Sequence, residues 1–140
     1  MKLSSKSRYG LKACFILAKE ELSSVSKLAS LVDTTEKYME QILILLKKDG
    51  IVGTRRGTTG GYYLLPLPED ISVARVLRAF SDGPEMLECQ NAECRNSGTC
   101  PTKTVWHKLY SSINDCLEGI SLADMLEDHL DKTGDGVRSL

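Results

Sequence analysis

Three cysteines lie within twelve positions of the chain, in the pattern Cys89-x4-Cys94-x5-Cys100. Their thiolates are soft ligands that suit zinc and iron–sulfur clusters. Closely spaced CxxC pairs, which are typical of small zinc sites, are absent, and this disfavours zinc without excluding it. Three thiols are one ligand fewer than either kind of site usually has. The spacing therefore predicts a metal or cluster site on a loop and leaves the fourth ligand open.

The same thiols also allow a second chemistry, which is direct oxidation of a cysteine whose pKa is lowered. Acidic residues close to the three cysteines (Glu85, Glu88 and Glu93) disfavour a lowered pKa. The odd total of five cysteines argues against a disulfide framework. Cys14 and Cys116 lie among apolar residues at helical spacing, and we expect both to be small core residues.

Composition excludes several other classes of protein. The 140 residues are 41% hydrophobic, as in an ordinary globular protein, and no run is long enough to span a membrane. The first residues are amphipathic and do not resemble a secretory signal, so we expect a cytoplasmic protein without a membrane partner. With two histidines and no Ser/His/Asp set, phosphate loop or carboxylate pair, the chain is not expected to be an enzyme.

Hydrophobic periodicity divides the chain into helices and one hairpin. Helices are predicted over 4–21, 26–32, 35–48, 71–80, 102–118 and from 121 to about 131, with a β-hairpin over 51–65 and a loop over 85–101. The apolar residues expected to face inward on the first three helices are Leu11, Cys14, Phe15, Leu17 and Ala18; Leu28, Ala29, Leu31 and Val32; Met39, Ile42, Leu43, Leu45 and Leu46. This order predicts a mainly α fold with a small β-hairpin wing.

Three short helices followed by a hairpin are typical of a winged helix-turn-helix, in which the third helix enters the DNA major groove. The residues free to contact base edges are Thr35, Glu36, Lys37, Tyr38, Glu40 and Gln41. Glutamine can pair with adenine, and glutamate can accept a hydrogen bond from cytosine. Lys37, Lys47 and Lys48 would contact phosphates. Residues 1–60 have a net charge of +5 and residues 61–140 one of −6, which fits a basic DNA-binding end.

The hairpin tip carries Arg55, Arg56, Thr58 and Thr59 among three glycines. An arginine on such a tip can enter the narrow minor groove, where the potential is most negative. The alternative is a solubilising hairpin in a helical enzyme or adaptor.

Apolar residues on the later long helix follow a 3-4-3-4 spacing: Trp106, Leu109, Ile113, Cys116 and Ile120. This spacing is typical of a helix–helix contact. The length and late position of the helix favour a contact between two copies of the chain over an intramolecular core helix.

These residues resemble the family of bacterial winged-helix regulators that includes IscR, NsrR and CymR. The opening segment 1–10, the recognition-helix segment Tyr38–Leu43 and the wing segment Arg56–Tyr62 carry the resemblance, which extends over about residues 1–130. It implies a DNA-binding homodimer whose long helices cross between subunits. The expected organisation is a winged helix-turn-helix domain (1–80), a cysteine-rich sensor loop (81–101), a dimerisation helix with a short terminal helix (102–131) and a frayed tail (132–140).

The resemblance also implies an iron–sulfur cluster, of the 2Fe–2S type, because IscR-like members hold one with three loop cysteines and a histidine just after the third. Here Lys103 stands where that histidine is expected, and His107, one helical turn later, is the substitute ligand that we consider. NsrR-like members use an acidic residue near position eight, where this chain has Arg8. The expected function is therefore cluster-controlled binding to operators of iron–sulfur cluster biogenesis genes. The alternatives are a thiol or cysteine-metabolism sensor of the same family, and an electron carrier or cluster scaffold.

Overall fold

The computed structural model describes residues 3–82 and 98–134. Its elements are α1 (Ser5–Glu20), α2 (Val25–Val32), α3 (Glu36–Lys48), β1 (Val52–Arg55), β2 (Gly61–Leu64), a 3-10 turn (Pro68–Asp70), α4 (Val73–Arg78), α5 (Lys103–Glu118) and α6 (Leu122–Thr133). The predicted mainly α fold with one hairpin is confirmed. Cys89 and Cys94, on which the sensor loop depends, lie outside the described residues.

Side-chain caps determine where the first three helices begin. Ser4, Ser24 and Thr35 each accept a hydrogen bond from the backbone N–H three residues later. This bond satisfies a donor that the first helical turn leaves without a partner. Because Ser24 is the cap, α2 begins at Val25, one residue before the predicted start at Ser26.

The core lies between α1, α2 and α3, with residues from the strands and α4 packed against it. Most of the predicted inward residues are buried, but Leu31 is exposed on α2 and that prediction is wrong. Leu28, Ala29 and Val32 form the buried stripe of this eight-residue helix, and Leu31 projects beside it. Leu11, Ala18 and Leu45 lie at the edge of the core, half-buried.

The two cysteines expected in the core have different environments. Cys14 is fully buried, and burial raises the pKa of its thiol to about 12, so it remains protonated. Cys116 is exposed on α5, and the prediction that it is a core residue is wrong for the single chain. None of the residues of α5, all of which the structure describes, is buried.

The end of α3 leads directly into the wing. Gly50 has a φ of +73°, and the N–H groups of Gly50 and Ile51 donate to the carbonyls of Lys47 and Leu46. This pair of bonds is a Schellman motif, which ends a helix and reverses the chain. β1 and β2 pair antiparallel, with Val52 opposite Leu64. Ser23, between α1 and α2, pairs with Tyr62 of β2 through two backbone hydrogen bonds and so lies beside the hairpin as a short antiparallel bridge.

α4 is shorter than the predicted helix over 71–80. Ser72 caps it at the N-terminus, and Ser81 takes a left-handed conformation with φ of +56°, so the chain leaves the helix after Arg78. The turn at Ser81 brings Asp82 back toward the start of α1.

Two backbone hydrogen bonds and one ion pair attach the C-terminal helices to the rest of the described chain. Ile71 accepts a backbone hydrogen bond from Leu122, and Val73 donates one to Ile120. Glu118, at the end of α5, pairs with Arg78, which holds the pKa of the Glu118 carboxyl below its usual range. Ser121 and Asp124 form a capping box at the start of α6, which continues to Thr133.

No helix within residues 3–82 and 98–134 is long and apolar enough to cross a membrane.

Asp82 joins the end of the winged domain to the first turn of α1. Its carboxylate accepts hydrogen bonds from the Ser4 backbone N–H (2.8 Å) and the Ser4 hydroxyl (2.6 Å), and the residue is 7% exposed. Burial alone would raise the pKa of Asp82, but the hydrogen bonds from Ser4 and Ser7 outweigh burial and leave it lowered. Asp82 therefore binds the N-terminus of α1 as a charged acceptor.

We expect Asp82→Asn to lower the free energy of unfolding by about 1–3 kcal/mol at pH 7, because an ionised acceptor of buried hydrogen bonds is lost. A carboxyl with a lowered folded pKa contributes stability above its ordinary pKa of 3.8 and loses it as the pH falls through the folded value. Urea unfolding at pH 7 and at pH 3 measures both effects. Between pH 7 and pH 3 the Asp82→Asn variant should lose less unfolding free energy than the wild type. The control variant Asp70→Asn, which changes an exposed carboxyl, should lose as much as the wild type. Equal stabilities of the Asp82→Asn variant and the wild type would contradict the role of this carboxylate.

Candidate nucleic-acid interface

The outer face of α3 presents most of the side chains predicted to contact DNA bases. Lys37, Glu40 and Gln41 are exposed, opposite the buried Met39, Ile42, Leu43 and Leu46. Thr35 is also exposed, and its hydroxyl caps the helix by accepting from the N–H of Tyr38. The packing of α3 thus leaves a polar face in solvent that can donate to and accept from base edges.

Tyr38 differs from the other predicted residues because it is half-buried. Its ring lies edge-to-face against Tyr9 of α1, with centroids 6.0 Å apart and an interplanar angle of 90°. The favourable geometry of this aromatic pair holds α3 against α1. The structure therefore shows Tyr38 packed between two helices, and its contact with DNA stays a prediction.

The wing places its charged tip in solvent. Arg55, Arg56, Thr58 and Thr59 are all exposed. The N–H of Gly60 donates to the carbonyl of Gly57, and a Cβ at Gly60 would overlap the carbonyl oxygen of Arg55. Glycine at this position therefore allows the tight return of the chain that brings the two arginines to the tip.

A hydrogen bond connects the wing with the recognition helix. The ammonium of Lys47, near the end of α3, donates to the Thr54 hydroxyl of β1 at 3.2 Å. Both side chains are exposed, so the bond is weak by itself. Together with the turn at Gly50, it sets the wing beside the exposed face of α3. Lys47 was expected to contact phosphate, and in this structure it also orients the wing.

Cys100 and His107 are the members of the predicted cluster site that the structure describes. Cys100 is half-buried just before α5, and its sulfur lies 3.2 Å from the Thr102 hydroxyl. This side-chain hydrogen bond, with smaller contributions from the Thr102 backbone and the Lys103 charge, lowers the pKa of the Cys100 thiol. A lowered pKa favours the thiolate that soft metals bind.

His107 is exposed on α5, in a shallow depression with Thr104, Lys108 and Ser111. In the described part of the chain, no three His, Cys, Asp or Glu side chains lie close enough together to hold a metal ion. The ligand set therefore stays a prediction.

The apolar stripe of α5 lies at the surface of the single chain. Leu109 is 43% exposed, whereas Trp106 and Ile113 are half-buried. Ile120, which the spacing placed on the same helix, is exposed but lies beyond the end of α5 at Glu118. Val105, which the 3-4-3-4 spacing did not include, is 56% exposed. A helix with this much apolar surface is typical of an interface with a partner.

Ile44, an exposed apolar residue on α3, is not among the residues predicted to contact DNA. The signal that identifies it is helical position, since Lys37, Gln41, Ile44 and Lys48 follow one another at spacings of four, three and four.

A three-helix core, an exposed polar face on its third helix and a basic two-stranded wing define a winged helix-turn-helix protein, a class that binds DNA. The sequence profile of the Rrf2 family, described as iron-dependent transcriptional regulators, matches residues 3–128. The chain therefore belongs to the Rrf2 family.

Curated relatives and solved structures agree with this assignment. The regulator IscR of Aliivibrio salmonicida is 35% identical over 136 residues, which cover 92% of this chain and 79% of the relative. IscR of Photobacterium profundum is 34% identical, and the match covers 92% of this chain and 77% of the relative. The structure of T. potens IscR is similar, with a TM-score of 0.77 and 35% identity, and the match covers 94% of this chain and 90% of that structure. CymR of B. subtilis, described as the global cysteine regulator, has a TM-score of 0.78, 26% identity and coverage of 91% and 98%.

The chain is thus an IscR-like transcriptional regulator and not an enzyme, as the sequence analysis expected. The predicted family is confirmed. The alternative of an electron carrier or scaffold has no support among relatives that are named as transcriptional regulators.

We expect Arg56→Ala to weaken binding to an operator duplex about tenfold, because an exposed cation of the wing is lost. The operator is obtained by selection from a random duplex library with the wild-type protein. Titrations at several salt concentrations give the salt slope, which is the slope of the logarithm of the binding constant against the logarithm of the salt concentration. Its magnitude should fall by about 0.9 in this variant. Lys108→Ala, which removes one exposed charge from α5, is the matched control and should change neither quantity. An Arg56→Ala protein with wild-type affinity and salt slope would mean that the wing arginine does not contact DNA.

Proposed function

We propose that the chain is a homodimeric transcriptional regulator whose affinity for operator DNA is controlled by an iron–sulfur cluster, of the 2Fe–2S type, on Cys89, Cys94 and Cys100. The observation that carries the proposal is the joint exposure of the polar α3 face and the basic wing. The cysteine segment, residues 83–100, directly follows Asp82, which binds Ser4 at the start of α1. The genes controlled would be those of iron–sulfur cluster biogenesis, and the protein would act in the cytoplasm.

The DNA-binding surface would divide its contacts by chemistry. Gln41 can pair with adenine, and Glu40 can accept from the cytosine amino group in the major groove. Thr35, Lys37 and Lys48 lie at the ends of the α3 face, where they can contact phosphates. Arg55 and Arg56, with Thr58 and Thr59 beside them, would enter the adjacent minor groove.

The donor chemistry of the cysteine segment fits an iron–sulfur cluster. Cys100 supplies a half-buried thiol with a lowered pKa, and Cys89 and Cys94 are the other two soft donors of the segment. Lys103 is a poor ligand while protonated, so His107 is the fourth ligand that we propose. A bound cluster would supply a covalent cross-link among these residues and a redox-sensitive charge.

The contacts at both ends of the cysteine segment offer a route from this segment to the DNA-binding face. Before it, Asp82 binds Ser4 at the start of α1, and Tyr9 of the same helix packs against Tyr38 of α3. After it, α5 pairs with α4 through Glu118 and Arg78. Cluster binding to the segment would therefore bias the position of α1 and α5, and a ligand acts only by such a difference in affinity for two states.

A homodimer would bury the exposed apolar stripe of α5. Trp106, Leu109 and Ile113 of this stripe would form the contact, with Val105 at its edge and Ile120 just beyond the end of the helix. Two copies related by a two-fold axis would present two α3 helices to successive major grooves about 34 Å apart, which requires a pseudo-palindromic operator.

A second function within the same family is a sensor of thiol oxidation or cysteine metabolism without a cluster. Lys103 in place of the expected histidine and the likeness to CymR favour it.

Anaerobic purification and reconstitution with iron and sulfide separate the two functions. We expect visible thiolate-to-iron absorption with about two iron and two sulfide per chain, lost on substitution of Cys89, Cys94 or Cys100 by serine. Cys116→Ser, on an exposed cysteine outside the segment, is the control and should keep the spectrum. Operator affinity should differ between the cluster-loaded and cluster-free protein, and Cys100→Ser should remove the difference. A protein that stays colourless would favour the thiol sensor, and equal affinities would contradict control by a cluster.

Leu109→Glu is expected to weaken the dimer more than about tenfold, because a two-fold interface places the buried charge in it twice. Sedimentation across a concentration range should show the mass change from two chains to one. Ser111→Glu adds the same charge on the opposite side of α5 and should leave the mass of the assembly unchanged. If Leu109→Glu stays dimeric at every concentration, the stripe of α5 is not the interface.

A further inference from the structure

Ile44 is an isoleucine on the helix face that is turned away from the core. It is 62% exposed, although the residues on either side of it in sequence, Leu43 and Leu45, are buried and half-buried. In the described part of the chain, it belongs neither to the core nor to the partly buried residues packed on the core. The fold therefore gives Ile44 no packing role.

The neighbours of Ile44 on this face are all polar and exposed. Glu40 and Gln41 lie one turn before it, and Lys47 and Lys48 lie one turn after it. The ammonium of Lys47 also donates to the Thr54 hydroxyl of the wing. An apolar side chain between polar groups that can contact base edges and cations that can contact phosphates suits a polyanion with an apolar group on its surface better than an apolar protein partner.

We propose that Ile44 contacts the 5-methyl group of a thymine in the operator and makes the protein specific for thymine at that position. The proposal rests on the proposed DNA-binding function of α3. In the major groove the base edges carry hydrogen-bonding groups, and thymine adds a methyl group that apolar side chains contact. The contact would remove the apolar surface of both groups from water.

Helix geometry locates this thymine within the operator. Ile44 lies seven residues after Lys37, which corresponds to about 10 Å along the helix axis. Base pairs are about 3.4 Å apart along the DNA axis, so the thymine should lie at most about three base pairs from the group that Lys37 contacts. One such position is expected in each half-site of a pseudo-palindromic operator.

Deoxyuridine substitution tests the contact, because uracil lacks the methyl group of thymine and keeps its hydrogen-bonding groups. An operator duplex is selected from a random library with the full-length wild-type chain, and each thymine is then replaced singly by deoxyuridine. One position in each half-site should weaken wild-type binding about fourfold, the equivalent of one buried methyl group. The Ile44→Ala protein should bind the thymine and deoxyuridine duplexes equally.

Two variants exclude a structural origin of this effect. Ile44→Val keeps a branched apolar side chain and should still prefer thymine. Leu67→Ala removes an apolar side chain that is equally exposed, at 61%, but lies on the segment before the 3-10 turn, and it should behave as the wild type. Salt slopes should be the same for all of these proteins, since Ile44 contacts no phosphate.

The result that overturns the inference is a deoxyuridine scan in which the wild type and Ile44→Ala respond alike at every position. Selection and specific binding would then still support the DNA-binding function of α3. A wild-type chain that selects no sequence from the library would overturn the proposed function and this inference together.

Discussion

The packing of α3 against α1 and α2 is the constraint on which the rest of the structure depends. Met39, Ile42, Leu43 and Leu46 are fully buried, and each such side chain contributes about 1.5–3 kcal/mol when removed from water. This burial fixes the rotation of α3 about its own axis. The charged and amide side chains of α3 must therefore face solvent together, on one surface that a DNA groove can accept.

Short polar contacts then place the remaining elements around this core. The Schellman turn at Gly50 directs the chain into the wing, and Ser23 pairs with Tyr62 so that β2 is held at the end of α1. Asp82, just before the cysteine segment, accepts hydrogen bonds from Ser4 and so ties the chain after α4 to the start of α1. A small hairpin and a short helix obtain definite positions in this way, although neither buries enough apolar surface to be stable alone.

α1 links the cysteine segment, the core and the recognition helix. Its first turn binds Asp82, its middle supplies Ala13, Cys14 and Leu17 to the core, and Tyr9 packs against Tyr38. α5 differs, since its residues are exposed or half-buried and its apolar stripe has no partner within the described chain. This contrast supports the proposal that α1 transmits the signal of the cysteine segment and that α5 forms the dimer contact.

The sequence by itself determined the features that depend on near neighbours: the helices, the hairpin and the spacing of the cysteines. Periodicity is local, so it predicts these elements without the tertiary structure, and the family followed from the segments that resemble it. Only the tertiary structure decided that Leu31 and Cys116 are exposed and that Tyr38 packs on Tyr9. It also brought Asp82 to Ser4, a pair separated by 78 positions. These outcomes depend on which helices meet and at what rotation, and that information is spread over the whole core and absent from any one segment.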